Sequence, residues 1–235
     1  MSSRAKKKQA NRVVREQLAR ERRRRRLVIS IVAVLCVVAA GLAGLSVYEV
    51  RKPASYAVPA HATGDHTGIV VSPGRVEVDL YVDYLCPNCR NFEQSAASTL
   101  DQLVSDGRIR LVYRPIAILD QNTSPTGYSS RAGSAAACAA DGGRFPAYTR
   151  ALYAQQPAEG SAGLSNDRLV QIGTSVGLTS PSFAQCVRAQ RYVSWMAHNT
   201  DAAAAANING TPTVLVNGRQ VDATADAISS AVNAA

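Results

Sequence analysis

The chain of 235 residues carries 26 Lys or Arg against 17 Asp or Glu, a formal net charge of +9, and five cysteines. Twelve of the basic residues lie in the first 26, against only Glu16 and Glu21, so the rest holds fourteen basic and fifteen acidic residues and sits near −1. The charge therefore belongs to one tail. It is no argument for a nucleic-acid-binding protein, and no nucleic-acid partner is expected.

Residues 1–26 form a basic tail that ends in Arg22 to Arg26, and residues 27–48, Leu27 to Tyr48, follow with no charge at all. Some twenty-two uncharged residues are enough to span a bilayer. Basic residues before such a span place the tail in the cytoplasm and the remainder outside. A cleaved signal peptide has a shorter apolar region, about 7–15 residues, and a small-residue cleavage site that is not apparent just beyond Tyr48. The arginine run loosely suggests a twin-arginine export signal, but the span is long and apolar for one. The expectation is one N-terminal transmembrane helix, an uncleaved signal anchor, with Cys36 a packing or lipid-facing residue within it. Residues 49–67, with Pro53 and Pro59 and no apolar period, are expected to be an extended linker.

Residues 68–235 suit one domain, able to bury about 70% of its unfolded-state surface. Val76 to Tyr84 alternates apolar and polar positions, which predicts a strand. Cys86-Pro87-Asn88-Cys89 follows, and behind it Leu100, Leu103 and Val104 fall at helical spacing. Two cysteines at this spacing, where a strand becomes a helix, put the first sulfur at a helix N-terminus. There, unpaired backbone N–H groups and the positive end of the dipole favour a thiolate. Proline suits the first turn, which has no use for its missing donor. This pattern points to thiol–disulfide exchange.

Half a zinc site has the same cysteine spacing. A second pair is then needed, but Cys36, Cys138 and Cys186 are widely separated, and His61, His66 and His198 form no ligand pair. No metal and no cofactor is expected. Outside the cytoplasm disulfides persist, and the exported part holds four cysteines, an even number that fits one reactive pair plus one structural bridge. A Cys138–Cys186 bridge closes a loop of about 48 residues, for which loop-closure entropy gives about 4 kcal/mol. Two separate buried thiols are the alternative.

Ile109 to Pro115 predicts a further strand, and Arg131 to Met196 is alanine-rich and helical in character, punctuated at Gly142-Gly143, Pro157 to Gly163 and Thr179-Ser180-Pro181. Asn217-Gly218 between two apolar runs signals a hairpin, and Ala223 to Val232 a closing helix. Phe183, Tyr192 and Trp195 are expected in the core of the helical block, and His198 at its surface or at a helix end.

In this order of elements the chain resembles the thioredoxin superfamily, and specifically its DsbA-like branch. The resemblance rests on Val82-Asp83-Tyr84 before the cysteine tetrad, Ala136-Ala137-Cys138-Ala139-Ala140 in the inserted block, and Gly210-Thr211-Pro212-Thr213 before the hairpin. It covers residues 68–235. It implies an α/β, thioredoxin-like fold with an inserted helical block over about residues 127–200, Cys86 and Cys89 as the redox-active catalytic pair, and a cis Thr211–Pro212 bond. A turn at Thr211 and Pro212 beside the cysteines then offers backbone groups that hold an extended client segment by strand-like pairing. The implied substrates are reduced exported proteins, and the implied electron acceptor is a membrane quinone-linked reoxidase. The Pro87-Asn88 dipeptide lacks the histidine of strongly oxidising relatives, so Asn88 supplies no positive charge.

In the expected cycle a client thiolate attacks an exposed Cys86 sulfur, and a second client thiol resolves the mixed disulfide. Glu77, Asp79, Tyr81 and Asp83 share one strand face. Either this face is polar and solvated, or Asp83 relays the proton of Cys89. In the second case Asp83→Asn alters exchange rate more than stability. Two other functions remain open: a disulfide reductase or isomerase on the same scaffold, and a non-catalytic tethered binding module with structural cysteines.

Overall fold

The computed structural model describes residues Tyr56–Ala235. The basic tail, the apolar span with Cys36, and linker residues 49–55 lie outside the described residues. Among those described, no helix is long and apolar enough to cross a membrane.

Five strands form one mixed sheet in the order β1-β3-β2-β4-β5: β1 (Ile69–Val70), β2 (Val76–Val82), β3 (Ile109–Pro115), β4 (Thr213–Val216) and β5 (Arg219–Val221). β2 and β3 run parallel, with Val76 opposite Ile109 and Val82 opposite Pro115, and the other neighbours are antiparallel. A parallel pair needs a crossover. Here it is α1 (Pro87–Ser105), whose Phe92, Ala96, Leu100 and Leu103 are buried at helical spacing. The predicted hairpin is present between β4 and β5, with Asn217 at φ 47° and Gly218 at φ 76°. Two consecutive positive φ values are what a type I′ turn requires, which is why Asn-Gly serves there.

Between β3 and β4 the helical block comprises α2 (Tyr128–Asp141), α3 (Phe145–Ala154), α4 (Asn166–Ser175), α5 (Pro181–Arg188) and α6 (Val193–Ala205). A final helix, α7 (Ala225–Asn233), packs on α1 and β4. α2 is the axis of the block: it touches α3, α4, α5 and α6, and its Ala132, Ala135, Ala136, Ala137 and Ala139 are fully enclosed. A helix buried on all sides needs small residues if its neighbours are to approach, and alanine also has the highest helix propensity. Cys138 on α2 bonds Cys186 on α5, with the Cα atoms 5.9 Å apart. Trp195, Tyr192 and Phe183 are buried in this block, as their apolar character predicts.

Three expectations need correction. From Tyr56 onward the linker is folded onto the domain: the Tyr56 ring stacks on His198 at 4.6 Å, Ala60 N–H donates to Asp141, and Trp195 Nε1–H donates to the His66 carbonyl at 2.5 Å. His198 accordingly lies half-buried within α6 rather than at its end. The polar face of β2 is solvated only in part: Glu77 keeps 41% of its side chain exposed, whereas Asp79 and Asp83 are enclosed. Asp79 is buried and accepts from Arg114 Nε at 2.6 Å, while Arg114 also reaches Asp65 and Thr67. The 56–67 segment reaches Arg114 and supplies the second acid, Asp65.

Candidate active site

Cys86 ends the short turn after β2 and is the N-cap of α1, with extended backbone (φ −68°, ψ 117°) and Pro87 in the first turn. No side chain caps the helix, so its first N–H groups are left for the sulfur. Cys86 and Cys89 are both free thiols. The Cys86 sulfur is less open than expected: the residue is 5% exposed and Cys89 only 1%. What covers Cys86 is the loop before β4. Its thiol donates to the Thr211 carbonyl at 3.2 Å, and the Thr211–Pro212 bond is cis. β4 pairs with β2 through Thr213 opposite Tyr81, which brings that loop to the cysteine end of the sheet.

The two sulfurs are pulled in opposite directions. A hydrogen bond from the Cys89 thiol lowers Cys86 to about 6; burial opposes this, and the Thr211 side chain and the N–H groups of Cys89 and Asn88 add to it. Cys89 is driven far above the ordinary thiol range by burial, and further because its proton is shared with Cys86. One sulfur ionises readily while its mate keeps its proton. That asymmetry separates the sulfur that exchanges with clients from its buried, protonated mate.

Asp83 lies just beyond β2 and is fully buried. Its Oδ1 accepts from Leu85 N–H at 2.8 Å and from the Ser129 hydroxyl at 2.6 Å, and its Oδ2 accepts from Leu119 N–H at 2.9 Å. Burial raises this carboxyl to about 6, against the pull of those three donors and with the Cys86 charge adding to the rise. The backbone of Asp83 also hydrogen-bonds Cys89. A carboxyl that titrates near neutrality beside a cysteine pair is suited to proton transfer.

Several contributors were not apparent from the sequence. Ser129 and Leu119 come from α2 and the segment after β3, remote in sequence from the acid they hold. Gln156, just past α3, donates from Nε2 to the carbonyls of Tyr84 at 3.0 Å and Cys86 at 2.9 Å. The Tyr153 hydroxyl donates to the Asp83 carbonyl at 3.3 Å. None of these has a periodicity or motif that marks it. Glu93, on α1, is buried and accepts from the Tyr113 hydroxyl at 3.1 Å, with Arg150 Nε 3.6 Å away. Among the described residues no group of three His, Cys, Asp or Glu side chains could hold a metal ion.

The thioredoxin family profile matches residues 72–234. Among solved structures, reduced DsbA from Mycobacterium tuberculosis is 32% identical, covering 66% of this chain and 84% of that one, with a TM-score of 0.58. The disulfide bond oxidoreductase DsbG from the same organism is 31% identical, covering 73% and 88%, with a TM-score of 0.64. The serine/threonine-protein kinase PknE of M. tuberculosis is 29% identical over 131 residues, 53% of this chain but 23% of the kinase. The chain thus matches less than a quarter of the length of that curated relative. The matched residues span the helix-capping cysteine and its partner one turn on, the opposing cis-proline turn and the helical block between β3 and β4. The chain belongs to the DsbA-like thiol–disulfide oxidoreductases of the thioredoxin superfamily.

Proposed function

We propose that this oxidoreductase works outside the cytoplasm as a dithiol oxidase for exported proteins, tethered by residues 27–48 and reoxidised by a membrane quinone-linked partner. The observation that carries the direction is the ease with which Cys86 ionises, since a stabilised thiolate favours the reduced pair and so makes the disulfide a better oxidant.

In the resting enzyme Cys86 and Cys89 are joined. A client thiolate attacks the Cys86 sulfur, forming the mixed disulfide and breaking the Cys86–Cys89 bond. Cys89 leaves with the electron pair. Its high proton affinity calls for a proton, which Asp83 supplies. A second client thiolate then attacks the client's own sulfur in the mixed disulfide, closing the client bridge and expelling Cys86 as a stable thiolate. Two electrons have passed from client to enzyme, and the reoxidase removes them. The backbone of Thr211 and Pro212 lines the approach to the recessed sulfur and holds the client segment extended.

The buried Asp83 carboxylate favours a second reading, a reductase or isomerase, because its charge opposes the thiolate. The reduction potential separates the two. A value near about −120 mV supports the oxidase and one near about −270 mV the reductase. In cells, the Cys86 thiolate of Cys89→Ala can still attack a client disulfide, the reverse of the last step above, and without Cys89 the enzyme cannot release the mixed disulfide that forms. Trapped partners that are exported proteins are expected, and a trap that yields only cytoplasmic proteins overturns the assignment of clients and of topology together.

A further inference from the structure

Three carbonyl oxygens of the turn that presents Cys86, those of Asp83, Tyr84 and Cys86, are tied by hydrogen bonds. The Asp83 carbonyl accepts from Cys86 N–H at 3.1 Å and from the Tyr153 hydroxyl. The Tyr84 carbonyl accepts from Gln156, and the Cys86 carbonyl accepts from Gln156 and from Arg90 N–H at 3.2 Å. Both protons of one side-chain amide are thus spent on the two peptide groups flanking Leu85 and Cys86. A primary amide is the neutral side chain with two donors on one nitrogen, so it can clamp two carbonyls at once. Gln156 is also the first polar side chain after the Gln155 cap of α3, and α3 is anchored in the core by Tyr148, Leu152 and Tyr153. The clamp therefore belongs to the helical insertion, not to the thioredoxin core.

We infer that Gln156 is a positioning residue for Cys86: by holding the Tyr84 and Cys86 carbonyls toward the insertion, it keeps their negative ends off the sulfur and the helix N–H groups on it. The physical effect is a rotation about the two peptide groups. With the clamp present, the amides of Asn88 and Cys89 point at the sulfur. Without it, the Cys86 peptide is held only by its helix bond to Arg90, and carbonyl dipoles are free to turn toward a developing negative charge. This role rests on Cys86 being the sulfur that the client attacks and that departs as a thiolate, as proposed above.

The test compares the reduced full chain with Gln156→Met, which keeps length but loses both donors, and with Gln156→Ala, which deletes a half-buried side chain. Iodoacetamide alkylation of Cys86 is followed from pH 5 to pH 10, with peptide-resolved mass spectrometry separating it from Cys36. Loss of the clamp is expected to move the Cys86 profile to higher pH, so that alkylation at pH 6 falls about five-fold while the rates at pH 10 coincide, as a shift of about one unit requires. Thermal unfolding of both variants is recorded alongside. If either folded variant keeps the wild-type pH profile, Gln156 is a structural tie only and the inference is overturned. If the wild-type Cys86 itself titrates as an ordinary thiol, the reading of Cys86 fails instead, and the two failures are distinguishable.

Discussion

At Asp83 one side chain carries two demands. Three donors converge on its two oxygens, and the residue has no exposed surface. Asparagine offers one oxygen and places an NH2 against at least one of those donors. Asp83→Asn should therefore lower stability by about 1–3 kcal/mol, the cost of buried donors left without partners, as well as slow exchange. This sets a stability cost beside the exchange-rate effect that the sequence alone ranked first. Stopped-flow oxidation of a dithiol peptide should show the wild-type rate inflecting near pH 6, and that inflection is expected to vanish in the variant. An unchanged profile removes Asp83 from the proton path. The cysteine pair and Asp83 could be read from the sequence because spacing and position carry the chemistry. Gln156 and Ser129 could not, since their partners are backbone carbonyls and a carboxyl in a distant segment.

Among the elements, β2, β3, the cysteine helix and the hairpin followed from period-two runs, helical spacing and Asn-Gly. The alanine-rich block predicted helices but not how they pack: only contact shows that α2 is their common axis. The burial of Asp79 was not legible for the same reason, because its partner Arg114 is tied to Asp65 and Thr67, outside the pattern of the strand itself. Glycine marks where main chains come closest. A Cβ on Gly74 would stand 2.1 Å from the Ile109 carbonyl carbon, a contact that only backbone movement relieves, whereas Gly64 has nothing within 4 Å. Gly74→Ala should cost roughly 1–3 kcal/mol in urea unfolding, in the range of other overpacked sites, and Gly64→Ala almost nothing. Equal midpoints for the two would mean that the turn before β2 yields easily.

For the whole molecule, redox state and pH are linked through Cys86. In the folded dithiol this group titrates at about 6 against an ordinary value of 9.0. A depressed acid contributes stability fully above its unfolded value and loses that contribution as pH falls through its folded one. The disulfide form has no such group. The stability of the reduced protein relative to the oxidised one should thus rise between pH 6 and pH 9, and fall again above pH 9, where the unfolded chain ionises Cys89 and the folded protein does not. Denaturant midpoints of both forms, measured at pH 5, 7 and 9, check this, and a gap independent of pH contradicts it.

The Cys138–Cys186 bridge has a consequence for how the protein is made. Cys138 is 2% exposed inside the most enclosed helix of the block, so its sulfur must be joined while the polypeptide is still loose. Under the proposed direction of electron flow, that joining is the very service the finished molecule provides. On that proposal a newly exported copy is first a substrate of mature copies and only then an oxidant itself.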